Sequence, residues 1–306
     1  MTEQYPEPAL FVGVAAWDVV TALPRPPAFD GRVLVDDLVV AGGGPAATAA
    51  VAYQRLGRPA RLAAAVGNDD AGVAIRAGLE AEGVDTTLVR TREDAGSTSC
   101  VVLVDSATDS RSICARPGAA PLLSADEIGT PGWIHVDHQG LPVVEAALAG
   151  LPTRPLVSYD AGNLDPRPCP PVVDLYAPTV EALRELYGGA DTDDLLDAAL
   201  ADGATWVVAT DGPRGAYAAD AGGHYRVPAH EDIEVRSTLG AGDVFHGALV
   251  AAFSRGMDLP TALAYANAAA ALSCRGLDGR SAIPDHDRTL ELAARRPTEA
   301  IGSAQS

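Results

Sequence analysis

Short apolar runs rich in Val, Leu and Ile alternate along this chain with longer Ala-rich stretches whose apolar positions recur at helical period. That alternation predicts parallel strands linked by crossover helices. Strands are expected at residues 10–15, 61–66, 133–136, 156–159, 175–177 and 206–210. Helices are expected at 46–56, 72–82, 141–149, 179–187, 192–201, 241–255 and 260–272. Strands this apolar on both faces need helices on both sides, so the body is expected to be an α/β sandwich.

Two stretches depart from the rhythm. Residues 32–40 and 97–113 alternate apolar and polar positions over strand length with no helix between the paired runs, the pattern of half-exposed antiparallel strands. They predict a small β-sheet beside the main one. The tail from Ala294 onward, with Pro297, Gly302 and polar neighbours, is expected to fray. A chain of 306 residues is expected to build one principal domain spanning 1–306.

The segment richest in chemistry is V-R-S-T-L-G-A-G-D-V-F-H-G-A-L-V-A-A-F, residues 235–253. A helical pattern starts at Asp243, directly after Gly240, Ala241 and Gly242. Small residues before a helix let the backbone approach a ligand, and the first N–H groups of the helix have no internal partners. With the helix dipole this makes an anion hole, able to stabilise charge on a transferred phosphoryl group. Asp243 has two readings. It is either a general base for an attacking hydroxyl, or an N-terminal carboxylate that complements the helix dipole in a structural turn.

G-A-G-D followed by F-x-G-A-L resembles the C-terminal signature of the ribokinase-like (PfkB) sugar kinases, and G-G-G-P-A-A-T-A-A-V-A-Y-Q-R-L-G at 42–57 resembles the partner signature. Further similarity lies in G-V-A-A-W-D at 13–18, V-G-N-D-D-A-G at 66–72, G-V-D-T at 83–86 and A-T-D-G-P-R-G at 209–215. The resemblance implies a three-layer α/β/α sandwich with a mainly parallel central sheet and a small β-sheet lid drawn from about 30–41 and 96–117. It also implies ATP and Mg²⁺ as cofactors, a small-molecule sugar substrate and a homodimer formed through the lid. By position, Asp18, Gly43, Gly44 and Thr48 match the sugar-binding residues, and Gly240, Ala241, Gly242 and Asp243 match the anion hole and base. Thr210, Gly212, Gly215 and Thr238 match the nucleotide loops, with Arg214 near the phosphates or in solvent.

Several positions depart from the family pattern. Thr48 stands where an Asn is usual, and Pro45 follows the paired glycines in place of a polar or basic residue. Ser237 replaces an Asp that in the family often helps hold K⁺, which leaves potassium dependence open. The family's Asn-x-x-Glu reads Pro178-Thr179-Val180-Glu181, so Glu181 is either a metal organiser acting through water or an exposed first-turn residue. Asp18 in turn is either the sugar clamp or a turn former at a strand end.

Beside this resemblance, G-G-G-P-A-A-T-A-A-V-A, G-A-G-D-V-F-H-G-A-L and G-R-S-A-I-P-D look closest to the sulfofructose kinase branch. The positions expected to hold a sulfonate carry Ala115 and Gln139, with Arg111 and Arg116 nearby, so this similarity points to a ketose or ribose-like sugar more than to the sulfonate. His135-Val136-Asp137-His138-Gln139-Gly140 ends an expected strand where a pocket should open, and Asp137 and Gln139 fit hydroxyl recognition there. His135 is read as a packed or surface residue and His246 as a packing residue.

Composition narrows the partners. A formal charge of −19 disfavours nucleic acid, which needs a surplus of Lys and Arg to displace counterions. Cys100, Cys114, Cys169 and Cys274 are widely spaced with no metal-ligand pattern and read as reduced thiols of a cytoplasmic protein. The acidic, polar start does not read as a signal peptide, and no apolar run approaches the roughly 20 residues of a membrane span. The rival readings are a nucleoside or phosphosugar kinase, which keeps the same chemistry, and a sugar-binding regulator without catalysis, which would have no need of Asp243.

Overall fold

The computed structural model describes residues 8–301 apart from 26, 106, 107, 109, 152 and 163–165. The first half runs β1 (Ala9–Val12), β2 (Ala16–Leu23), β3 (Leu38–Gly43), α1 (Pro45–Arg55), β4 (Ala60–Gly67), α2 (Asp70–Ala81), β5 (Asp85–Arg92), β6 (Thr98–Asp105) and β7 (Arg111–Arg116). It continues through α3 (Ala125–Ile128), β8 (Trp133–Val136), α4 (Gly140–Leu148), β9 (Leu156–Ala161), β10 (Leu175–Pro178), α5 (Val180–Tyr187), α6 (Thr192–Ala201) and β11 (Trp206–Thr210). The last part holds β12 (Ala216–Asp220), β13 (Gly223–Val227), α7 (Ala241–Ser254), α8 (Leu259–Ser273), α9 (His286–Ala293) and β14 (Glu299–Ile301).

Among the described residues the larger sheet has the order β14-β13-β12-β11-β10-β9-β8-β1-β4-β5. It is parallel from β11 to β5 and antiparallel from β11 out to β14. Successive residues of β1 serve opposite faces, as the two-residue period of a strand requires. Phe11 packs into the core built with α1, α2, α7 and α8, whereas Leu10 and Val12 pack into the core built with α4, α5 and α6. The three layers expected from the apolar patterning are therefore present. Close approach of α1 to α7 depends on Gly247, where a Cβ would lie 2.3 Å from the Ala49 carbonyl oxygen.

The smaller sheet has the order β3-β2-β6-β7, with β2 parallel to β6 and the other pairs antiparallel. Here sequence and structure differ. The strand expected at 10–15 is cut at Gly13, where a Cβ would stand 2.2 Å from the Asp137 carboxyl, and the chain turns there into β2 of the lid. The alternation at 32–37 forms no strand, and its side chains are exposed apart from half-buried Val33, so no core selects one face of it. The lid is built from 16–23, 38–43, 98–105 and 111–116 rather than from 30–41 and 96–117 alone. The tail also differs: β14 pairs with β13, so the chain is held as far as Ile301. No helix among the described residues is long and apolar enough to cross a membrane.

Candidate active site

A cleft opens where the parallel strands end and the smaller sheet folds over them. Its floor is the start of α7. Gly240 precedes the helix with φ 74°, and a Cβ there would lie 2.7 Å from the Gly279 Cα, so only glycine fits both the backbone turn and the close approach. No side chain caps α7. Among the described residues the N–H groups of Gly242 and Asp243 have no acceptor, while Ala241 N–H donates to the Thr238 carbonyl at 3.3 Å. Free first-turn amides and the helix dipole favour an anion at this point.

Asp243 is the third residue of that helix. Burial and then the charge of Asp160 raise its proton affinity, to a pKa of about 8, with Arg111 and Arg280 acting against the rise. Arg111 reaches it from β7 of the lid: its Nη1 donates to Thr238 Oγ1 at 3.0 Å. A carboxylate tuned toward neutrality beside an anion hole is equipped to accept a proton while negative charge gathers on a neighbouring group.

Asp18 faces the same cleft from above. It sits on β2, not at the end of a strand of the larger sheet, and pairs in register with Cys100 and Ala41. Its Oδ1 is buried without a hydrogen-bond partner, and a Cβ on Gly43 would lie 1.9 Å from its Oδ2. Burial raises its pKa, and a hydrogen bond from the Cys100 thiol opposes the rise. The thiol itself is pushed up to about 12 by burial and the adjacent carboxylate. An unsatisfied buried acceptor costs about 1–3 kcal/mol, a cost that a hydroxyl donor entering the cleft would relieve.

Arg280 was not among the residues singled out from sequence. It is 7 % exposed, donates through Nε to Thr48 Oγ1 at 3.1 Å and through Nη2 to the Gly43 carbonyl at 2.6 Å, and its charge acts on both Asp18 and Asp243. Burial lowers its pKa to about 10, so it stays charged at neutral pH. Its Nη1 makes no hydrogen bond among the described residues and lies 2.3 Å from where a Gly42 Cβ would stand. The one local signal for it was a lone arginine inside the small-residue string G-R-S-A-I-P.

Two expected sugar ligands take other duties. Thr48 is 1 % exposed with its hydroxyl on Arg280, so it braces the arginine rather than lining the cleft. Asp137 accepts from the N–H groups of Val14 at 2.6 Å, Ala46 at 3.4 Å, Gln139 at 2.9 Å and Gly140 at 3.0 Å. Both its oxygens are committed to backbone, and it knots the β1–β2 turn to the starts of α1 and α4. Gln139 remains half-buried, and Gly44, at φ 90°, starts α1.

On the nucleotide side, a bridge between Thr179 and Thr210 ties the start of α5 to the end of β11 and brings Glu181 to the same edge. Gly212 opens onto free space, while Gly215 packs against the Val227 carbonyl oxygen. Arg214 is engaged by Asp211 through Nε at 2.7 Å and Nη2 at 2.5 Å, which answers the question of its charge: it is paired locally. Glu181 is exposed in the first turn of α5. His135 is fully buried, which selects the packed of its two readings, and His246 does more than pack, since its Nε2 stands 3.4 Å from Asp160 Oδ1.

Residues 10–136 and 159–286 match the pfkB family carbohydrate kinase. The ATP-dependent ribose-1-phosphate kinase of Halopiger xanaduensis is 30% identical over 303 residues, covering 94% of this chain and 98% of that protein. Two solved structures share the fold. The ribokinase of Arabidopsis thaliana, complexed with ribose and ATP, superposes with a TM-score of 0.79 at 21% identity, covering 94% of this chain and 98% of that one. A fructokinase double mutant from Vibrio cholerae in its fructose, ADP and potassium bound form gives 0.76 at 22%, covering 94% and 99%.

Proposed function

The chain belongs to the pfkB family of carbohydrate kinases, and from that footing we propose that it transfers the γ-phosphoryl group of MgATP to a hydroxyl of a small ribose-like sugar, with Asp243 as the general base. The observation that carries this reading is the pairing of two carboxylates around one buried guanidinium. Asp243 stands on the first turn of an uncapped helix, Asp18 holds an unpartnered oxygen, and Arg280 acts on both.

Asp18 accepts from the sugar hydroxyls and, with the backbone at Gly43 and Gly44, fixes the ring against the floor. Asp243 takes the proton of the attacking hydroxyl, and the free amides of Gly242 and Asp243 donate to the oxygens of the group in transfer. Gly240 and Ala241 shape that turn. Thr210, Gly212, Gly215 and Thr238 line the path of the nucleotide phosphates. Mg²⁺, when bound, would supply positive charge to the phosphate oxygens, and Glu181 is the residue that would hold it through water. The residues around Ser237 do not fit a potassium site, and no step is routed through one.

The lid closes the cleft and excludes water from the transfer. Its outer face carries Leu38, Val40 and Val101 at 65%, 49% and 48% exposure, an aliphatic strip suited to a second copy of the lid in a homodimer.

A phosphosugar is the second reading, favoured by the free Nη1 of Arg280 and by the name of the Halopiger relative. The test is ADP release from MgATP against ribose, ribose 1-phosphate, fructose, sulfofructose, fructose phosphates and nucleosides. Selective turnover of ribose or ribose 1-phosphate is expected, and selection of a nucleoside or of sulfofructose would overturn the sugar assignment. Asp243→Asn should lose at least about 100-fold in turnover while sugar binding persists. Saturable sugar binding with no turnover by the unaltered protein would move the reading to a non-catalytic regulator.

A further inference from the structure

Most arginines whose contacts are described here meet a carboxylate. Arg55 holds Glu82 at 2.6 Å, Arg154 holds Asp174 at 2.5 Å and Arg236 holds Asp37 at 3.0 Å, and each of the three is more exposed than Arg280. Arg280 is 7% exposed, yet its side chain bonds only neutral acceptors, the Thr48 hydroxyl on Nε and the Gly43 carbonyl on Nη2. A buried cation is costly unless an anion or a full set of acceptors meets it. Nε and Nη2 are engaged, and Nη1 is left over.

The position of Nη1 is fixed by those two bonds. They pin the guanidinium so that Nη1 stands 2.3 Å from where a Gly42 Cβ would be. Gly42 is not among the left-handed glycines, so what a side chain there would meet is the guanidinium. On the next residue the opposite charge appears: a Gly43 Cβ would lie 1.9 Å from Asp18 Oδ2, and Asp18 Oδ1 has no hydrogen-bond partner. A donor without an acceptor and an acceptor without a donor therefore flank two successive glycines. The loop that carries Arg280 is itself held. Arg55 Nη1 donates to the carbonyls of Arg280 and Ile283 at 2.8 and 3.3 Å, and Asp278 Oδ1 accepts from the N–H groups of Arg280 and Ser281, both at 2.8 Å. A fork held in place before the ligand arrives loses little freedom on binding it.

We propose that Nη1 of Arg280 binds an anionic substituent of the sugar, so that the preferred acceptor is a sugar monophosphate rather than a neutral sugar. The proposal rests on the sugar-kinase reading and names the substrate class within it. Asp18 takes hydroxyls at Gly43, and Arg280 takes a phosphate oxygen at Gly42. A phosphate oxygen could also come from the nucleotide, but the contacts favour the sugar. Arg280 is bonded to Gly43 and Thr48, around the start of α1, whereas the arginine bonded to Thr238 beside the anion hole is Arg111. In the reaction the bond between the γ-phosphorus and the ADP oxygen breaks, a bond from that phosphorus to the sugar hydroxyl forms, and the hydroxyl proton passes to Asp243. The products are ADP and a sugar bisphosphate, and the phosphate on Arg280 is unchanged.

The test compares matched pairs, ribose with ribose 1-phosphate and fructose with fructose 6-phosphate, by steady-state kcat/KM with MgATP. The unaltered protein should favour the phosphorylated member of at least one pair by about 100-fold or more, because the neutral sugar leaves a buried cation unpaired. Arg280→Met should cut that ratio by about tenfold to a hundredfold, through the KM of the phosphorylated sugar and with the KM of MgATP unchanged. A variant that only disturbed the fold would lower both members of a pair together and leave their ratio alone. Gly42→Ala keeps Arg280 but sets a methyl against Nη1, so it should lower the ratio too, and it decides the matter if Arg280→Met does not fold. A preference for the neutral sugar in both pairs, or a ratio unchanged in Arg280→Met, overturns the proposal. A rise in the KM of MgATP in place of that of the phosphorylated sugar also overturns it, since the anion would then be the nucleotide's. If Asp243→Asn abolishes turnover while the ratio does not respond to Arg280, this inference fails and the kinase reading stands. If calorimetry shows the phosphorylated sugar held through Arg280 while the unaltered protein turns over no sugar, the kinase reading fails and the anion site stands.

Discussion

The floor of the cleft hangs from strands whose every residue is buried, as in β1, β8 and β10, whereas β7 of the cover exposes all six of its residues. The floor presents Asp243 and backbone amides on a helix locked between α1 and α8. The cover presents Asp18 on a thin sheet that meets the body through a small cluster of Val20, Val102 and Val104 on Leu239 and Leu277. Elements with few buried contacts are the ones free to open. On the proposed assignment, chemistry, which tolerates little misplacement, stands on the rigid wall, and recognition, which needs entry and exit, on the loose one. Changes in the floor should therefore lower kcat, and changes in the cover should raise the sugar KM.

The largest effect is expected at Gly240. An Ala there must hold φ 74° and push its Cβ to 2.7 Å from the Gly279 Cα, so the turn that aims the amides has to shift. Gly240→Ala should cost about 100-fold or more in kcat, the scale of losing one oxyanion-hole donor, with the sugar KM little changed. Steady-state kinetics with varied sugar and varied MgATP would check it. A variant that instead raised the sugar KM with kcat intact would break the division between the two walls.

Asp18→Asn is the corresponding change in the cover. It keeps the shape and removes a charged acceptor worth about 1.5–3 kcal/mol, so the sugar KM should rise by about tenfold to a hundredfold. The kcat at saturating sugar should stay close to that of the unaltered enzyme. Isothermal calorimetry with the sugar and a non-hydrolysable ATP analogue would separate affinity from turnover.

The contrast between the walls also explains what was legible in the sequence. The strands and helices of the larger sheet follow apolar periodicity, a local property, and nearly all of those expected are present. Gly240 to Asp243 were equally visible because a turn and a helix start are written in neighbouring residues. The cover was not. Ala16–Leu23, apolar apart from Asp18 and Thr21, follows β1 almost without a break, and the approach of Asp137 to Gly13, more than a hundred positions away, marks where it turns out of the larger sheet. Arg280 and Thr48 meet across 232 positions, and Asp137 gathers three separate chain segments, so their roles depend on contacts that no local pattern encodes.

Arg111 is the residue that crosses the division, since it belongs to the cover and acts on the floor. Its charge favours the ionised form of Asp243 and its Nη1 holds Thr238. Arg111→Gln should lower kcat by about tenfold, as expected for losing a charge-assisted contact of about 1.5 kcal/mol. Without the cation Asp243 keeps its proton to higher pH, so the acid limb of kcat/KM should move up. A pH–rate series on the unaltered enzyme and the variant tests this directly. An unmoved limb would mean that the cover does not reach the floor in the working enzyme.

The smallest effect is expected from potassium. A cation held away from water needs a carboxylate or several free carbonyl oxygens to offset its lost hydration. Ser237 is neutral and 1% exposed, and its hydroxyl already accepts the Leu239 N–H at 3.1 Å. The Cys274 carbonyl accepts from the N–H groups of Arg236 and Ser237 at 2.8 and 3.2 Å. Arg236 is paired with Asp37 of the cover at 3.0 Å, so a fixed cation already joins the two walls there. Exchanging KCl for NaCl or tetramethylammonium chloride at constant ionic strength should leave kcat unchanged. If potassium alone raised kcat, other carbonyls would have to gather around the α7 turn, and Ser237→Asp should then strengthen the response. If the salt exchange changes nothing and Ser237→Asp only lowers the melting temperature, the position holds a structural serine, and the anion hole depends on the amides and Arg111 for its positive charge.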